Sequence, residues 1–240
     1  MRRSIIALLA FVLACLPAHS DLMLTGVGAG SSFTTPPATI TFGAQTAVCA
    51  STSSTCTASA QAIGTADPAR LVVVYFNLGT SLTVSSVTIG GVTATQLINF
   101  PDGTLRSYFY SATVPTGTTA NFVVNYSGTT GTGGVPFASW SLYNLQSTTP
   151  IDAQGSFATP GVITLNTQAG GVAMVGSNQI ATSPTIAFSN FTQNFNANTL
   201  NAAIRVAGGS LSTSGTTRGE TATYGGTSPS ERALIGVSFR

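Results

Sequence analysis

Lysine is absent from this 240-residue chain, histidine occurs once and charged residues make up only 6%. The eight basic residues are arginines, and Arg2 and Arg3 belong to the extreme N-terminus, which leaves six arginines against the six acids. A body so close to neutrality has no basic patch, and without clustered Lys or Arg neither nucleic acid nor an anionic membrane surface is a partner. The lone histidine, His19, precedes the body of the chain, so the body carries no imidazole and no lysine amine. Ser-His-Asp and Cys-His catalysis, histidine-ligated metals and Schiff-base chemistry each lack a necessary part. The chain reads as a non-enzyme with no cofactor and no metal site.

Cysteine is almost as scarce. Cys15 lies in the apolar N-terminal stretch, so Cys49 and Cys56 are the only pair in the body, and Ala-Ser-Thr-Ser-Ser-Thr separates them. That spacing reads as a disulfide closing a Ser/Thr loop, a feature of oxidising compartments, with two unrelated thiols as the alternative. Zinc needs further sulfur or imidazole ligands, and none is near.

The start of the chain has three readings. Arg2-Arg3, the apolar run Ile5 to Leu16 and Pro17-Ala18-His19-Ser20 form the parts of a secretory signal, which gives a leader at 1–20 and a domain at 21–240. Val12-Leu13-Ala14-Cys15 loosely matches a lipobox that would acylate Cys15. Alternatively, translation begins at Met23. The apolar run is shorter than the ~20 residues needed to span a bilayer.

What is plentiful is alternation. Hydrophobic residues reach 43%, enough for a sizeable core. Val87 and Ile89 run into Gly90-Gly91 and the alternation resumes at Val92, the pattern of a two-residue hairpin. Pro101-Asp102-Gly103 marks the next turn, between a strand ending near Asn99 and one over 106–112, and Val114-Pro115-Thr116-Gly117 leads into a strand over 121–126. Further strands are readable near 136–145, 162–166, 172–177, 184–191, 201–207, 221–224 and 233–239. Leu71 to Phe76 is apolar on both faces and belongs in the middle of a sheet. Ile235, Val237 and Phe239 alternate with small residues, predicting a strand with one core face that closes the sheet beside an early strand. Nothing in the body has the period of a long amphipathic helix, and the glycine-rich segment 127–135 reads as an exposed loop. The expected fold is all-β, a single jelly-roll-like antiparallel β-sandwich.

Few residues suggest chemistry. Asp152 and Glu220 are the pair of acids that spacing alone leaves open for paired-carboxylate hydrolysis, while Asp67 before Pro68 and Asp102 in a tight turn have ordinary structural roles. Arg218-Gly219-Glu220 reads as a solvated loop. Gly26-Val-Gly28-Ala-Gly30 lacks the strand and helix that a phosphate-binding loop requires, and the sequons at Asn125 and Asn190 read as chance matches. Trp140 and Tyr143 fall on opposite faces of one strand, so one of them is core. Arg106, Tyr108 and Tyr110 share a face and form a candidate glycan-binding platform, the alternative being that this face packs against the second sheet. Phe188, Phe191 and Phe195, with their asparagines, read as a strand and loop, with an adhesive surface as the alternative.

Arg70-Leu-Val-Val-Val-Tyr, Val87-Thr-Ile-Gly-Gly-Val-Thr-Ala-Thr, Tyr110-Ser-Ala-Thr-Val-Pro-Thr-Gly-Thr and Ser139-Trp-Ser-Leu-Tyr-Asn-Leu together resemble virion-associated β-sandwich proteins of phages, prophages and gene-transfer-agent-like particles. The start Met23-Leu-Thr-Gly-Val-Gly is similar to theirs, and the resemblance covers residues 23–145. It implies a structural or surface-decorating role on a particle or extracellular assembly, with protein neighbours and homo-oligomers as partners and a virion-surface or secreted location. The alternative from the residues themselves is a secreted adhesin-like module that binds a cell-surface glycan.

Overall fold

The structure is a computed structural model that describes residues 35–49, 53–128, 134–158, 160–180, 185–199, 204–215, 217–224 and 232–240. The leader at 1–20, the Gly26–Gly30 segment and the greater part of the 127–135 loop lie outside the described residues. Residues 36–240 form one unit.

The expected antiparallel β-sandwich is present, and the chain builds it twice. The first half comprises β1 (Thr39–Val48), β2 (Thr55–Ala62), β3 (Leu71–Gly79), β4 (Val84–Ile89), β5 (Val92–Thr93), β6 (Thr95–Pro101), β7 (Leu105–Thr113), β8 (Thr119–Tyr126) and β9 (Val135–Tyr143). The second comprises β10 (Asp152–Ser156), β11 (Gly161–Asn166), β12 (Val172–Ile180), β13 (Ile186–Phe188), β14 (Thr192–Asn198), β15 (Ile204–Ser212), β16 (Thr217–Tyr224) and β17 (Arg232–Phe239). Each half pairs a five-stranded inner sheet, ordered β1-β9-β3-β7-β6 or β10-β17-β12-β15-β14, with a smaller outer sheet, ordered β2-β8-β4-β5 or β11-β16-β13. Strand for strand, the second half repeats the wiring of the first, lacking only the short β5.

Register and side chains repeat as well. Thr95-Gln96 pairs with Ser111-Tyr110, and Thr192-Gln193 pairs with Ser210-Gly209; one residue is then bulged out of β6 and of β14 at the same step. Asn99 and Asn196 follow two positions beyond the bulge, and Arg106 and Arg205 sit at matching places on β7 and β15. The hydroxyl of Ser141 donates to Ile63 O just past β2, and that of Ser238 donates to Asn166 O at the end of β11, each at 2.6 Å.

Three cores separate four layers because the strands of both inner sheets are apolar on both faces. On β3, Val72, Val74 and Phe76 pack with Phe122 and Val124 of the first outer sheet. The alternate residues Leu71, Val73 and Tyr75 pack with Val172, Met174, Ile235 and Val237 of the second inner sheet. Ala173 and Val175 on the far face of β12 then meet Ile163, Leu165 and Ala222 of the second outer sheet. At about 1.5–3 kcal/mol for each large side chain buried, the middle core, with Trp140, Tyr75, Phe109 and Phe239 in it, is a substantial join between the halves.

A polar bridge marks the centre of that junction. Asn77 and Asn178 occupy matching positions of β3 and β12, and both donate through Nδ2 to Ser107 Oγ, at 2.6 and 3.1 Å. All three residues are buried. Asn77 Oδ1 has no hydrogen-bond partner among the described residues, so the cluster is only partly satisfied, and such a group in an apolar interface fixes register more than it adds stability.

Two sequence expectations change. β17 does not close a sheet beside an early strand; it lies between β10 and β12. It is also covered on both faces, because Gly236 leaves room for Ile163 and Leu165, whose methyl carbons lie 2.7 and 2.9 Å from where a Cβ would stand. The strand expected over 184–191 is only Ile186–Phe188, and the chain then turns into β14, which alternation alone did not reveal.

Candidate functional site

The Cys49–Cys56 disulfide is formed, with Cα atoms 5.5 Å apart. It staples the end of β1 to the start of β2, and Cys56 is buried in the first core. Closing so short a loop contributes about 2–3 kcal/mol through the unfolded chain.

The glycan platform is not formed. Period two correctly placed Tyr108 and Tyr110 on one face, but that face packs against the outer sheet. Tyr108 is 1% and Tyr110 8% exposed, and both rings stack on Phe76 with centroids 4.9 and 5.7 Å away. Neither ring has a free face for a sugar. Arg106, half-buried on the same strand, lies beside Tyr108. Burial pushes the Tyr108 phenol above its ordinary value, with the Arg106 charge and hydrogen bond opposing the rise. Tyr110 is raised by burial and then by Tyr108. A phenol raised in the fold contributes stability below its unfolded value of about 10, and that contribution is lost as pH climbs past it. Alkaline titration followed by tyrosinate absorbance should therefore show these two rings ionising late and together with unfolding. Early, reversible ionisation with unchanged near-ultraviolet dichroism would contradict their burial.

The other singled-out residues are structural. Trp140 is the core member of its pair, its Nε1 donating to Asn194 Oδ1 at 2.8 Å, while the Tyr143 hydroxyl donates to Thr65 O. Phe191 and Phe195 are buried and so do not form an adhesive surface. Residues 218–220 belong to β16 and not to a solvated loop, and Glu220 is 1% exposed. Its carboxylate accepts from the backbone amides of Ser189, Asn190 and Thr221 and from the Ser189 hydroxyl, at 2.6–3.1 Å. It secures the Ser189-Asn190 turn, the counterpart of Gly90-Gly91. Asp152 likewise accepts from the amides of Ala153 and Asn166 and from Gln154 Nε2. Both carboxylates are committed to local backbone.

Two surfaces remain. The strands of the first outer sheet, β2, β4, β5 and β8, contain no Asp, Glu, Lys, Arg or His. Their outward residues are mostly hydroxyls and amides, with Val92, Val123, Ala60 and Ala62 among them, and part of the polar set is cross-linked in a row: Thr55 Oγ1 donates to Asn125 Oδ1 at 2.7 Å, and Asn125 Nδ2 donates to Ser86 Oγ at 2.8 Å. The second surface is a cleft of about 520 Å³ bounded by β5, β6, β7 and residues 148–150, the segment that joins the halves. Its lining carries no charged group. Sequence reasoning missed it because it arises where the chain crosses from outer to inner sheet between Thr93 and Thr95, a tertiary event with no local signature.

No family model, no curated protein and no solved structure matches the chain. Among the described residues no group of His, Cys, Asp or Glu could hold a metal ion, and no helix is long and apolar enough to cross a membrane.

Proposed function

We propose that this chain is a non-catalytic structural or surface-decorating protein of a phage-like particle or extracellular assembly. The observation that carries the reading is the first outer sheet. An outward face of four strands without a charged side chain, its Thr55–Asn125–Ser86 row pre-ordered by mutual hydrogen bonds, suits repeated contact with neighbours of the same kind. Its neighbours are copies of this chain. The commitment of Arg70, Asp152 and Glu220 to backbone contacts supports a scaffold role, and the disulfide supports an oxidising or extracellular-facing location. We read the order β1-β9-β3-β7 over β2-β8-β4 as jelly-roll-like wiring, an architecture suited to tiling surfaces.

Sedimentation velocity on the purified full chain tests this. Assembly that grows with concentration and is abolished by Thr57→Glu combined with Thr88→Glu on the outer face is the expected result. A monomer at every concentration, in both wild type and variant, overturns the reading.

A further inference from the structure

The cleft beside β5 is a place where the two halves differ. In the second half the link from β13 to β14 is three residues long and folds Phe191 into the core, 5% exposed, with its Cβ and the Phe188 ring lying 3.2 and 3.3 Å from where a Cβ on Gly209 would stand. In the first half the link is five residues, 90–94. It pairs back on β4 as β5 and leaves Val92 42% exposed at the cleft mouth. On β7 the position matching Gly209 carries Tyr110, whose ring packs into the first core, and the cleft opens beside the longer link.

We propose that this cleft binds a neutral sugar of mono- to disaccharide size. About 520 Å³ falls within the range of small-molecule pockets. Leu97, Ala112 and Pro150 give it apolar wall, while Thr93, Thr95, Thr113, Thr148 and Thr149 bring hydroxyls. Each hydroxyl both donates and accepts, as each hydroxyl of a sugar does, and sugar C–H surfaces match the apolar wall. A charged ligand would find no counter-charge in this lining, and a purely apolar one would leave the hydroxyls unpaired. Gln96, a lining residue, is held in advance: the Tyr110 hydroxyl donates to its Oε1 at 2.9 Å, which leaves the Nε2 donors for a ligand in this proposal. The buried tyrosine thus acts on the site through Gln96 and does not stack on the sugar.

This inference goes beyond the assembly reading and stands without it. The test is isothermal titration of the full chain with glucose, galactose, N-acetylglucosamine, cellobiose, lactose and chitobiose, with glucuronic acid as the charged counterpart. Saturable binding of at least one neutral sugar at millimolar affinity or tighter is expected, weakened about tenfold or more by Gln96→Leu and by Thr149→Trp. Thr93→Trp, on the exposed short strand, blocks the opposite wall should Thr149→Trp lower stability, and Thr57→Trp on the outer face should leave binding unchanged. The proposal is overturned if no neutral sugar binds, if glucuronic acid binds more tightly than glucose, or if the cleft-filling variants bind as wild type does. Sugar binding by a chain that never assembles, or assembly by a chain that binds no sugar, tells the two readings apart.

Discussion

Arg70→Met should cost about 3–5 kcal/mol of folding stability, because it strips the donors from several buried carbonyls at about 1–3 kcal/mol each. Arg70 is fully buried, and its guanidinium donates to four backbone carbonyls: Nε to Val114, Nη1 to Gly64 and Thr65, and Nη2 to Thr116, at 2.7–3.0 Å. Those carbonyls belong to the segment entering β3 and to the turn between β7 and β8, so one side chain ties two connections at one end of the first sandwich. Methionine fills much of the volume but leaves the carbonyls without donors, and each unsatisfied buried acceptor costs about 1–3 kcal/mol unless water reaches it. Arg70→Lys should recover little, since an ammonium is a point donor and cannot serve four acceptors spread in a plane. Urea unfolding monitored by tryptophan fluorescence measures both variants. A loss below about 1 kcal/mol for Arg70→Met would mean that the loops hold themselves and that the arginine merely fills space. The second half solves the same corner differently: Gly171 stands at the Arg70 position, the Thr213 hydroxyl donates to Gln168 O, and Arg240 Nη1 donates to Gly170 O at 3.0 Å.

That substitution of one solution for another explains how much of the fold was legible in the sequence. Local rules worked where a turn or a strand states its own period: Gly90-Gly91, both at positive φ, and Pro101-Asp102-Gly103 form the turns expected, and the doubly apolar Leu71–Phe76 lies in mid-sheet. The repeat stayed hidden because its copies share wiring and not composition. Leu-Val-Val-Val-Tyr-Phe-Asn on β3 corresponds to Val-Ala-Met-Val-Gly-Ser-Asn on β12, with valine and asparagine the only side chains in common. Thr95-Gln96 and Thr192-Gln193, with an asparagine three residues on, were visible but too short to stand apart from a Thr- and Asn-rich background. For the site, alternation told which residues share a face and could not tell which face is covered. Tyr108 and Tyr110 therefore looked like a platform, although a sandwich two layers deeper than expected consumes far more surface than one.

The junction between the halves yields the second large effect. Tyr75 and Gly176 occupy matching positions of β3 and β12, and they meet: a Cβ on Gly176 would lie 2.4 Å from Cδ2 and Cε2 of the Tyr75 ring. This glycine is required for space, because its backbone is ordinary strand, where alanine or valine would otherwise be preferred. The same complementarity recurs at Gly155, where a Cβ would lie 2.3 Å from the Phe100 ring, and at Gly208, where it would meet Phe195 and Trp140. Matching positions have thus diverged into knob and hole, so two copies of the first half would collide at Tyr75 and two copies of the second would leave a void. Gly176→Val should destabilise by about 3 kcal/mol through overpacking, and Tyr75→Ala by about 3–5 kcal/mol through lost burial and a cavity. The double variant decides the matter. If the ring and the glycine interlock, valine occupies part of the cavity and the combined loss falls short of the summed single losses by at least about 1 kcal/mol. Strict additivity would mean that the two positions do not touch, and the face-to-face packing of the inner sheets would have to be abandoned with them.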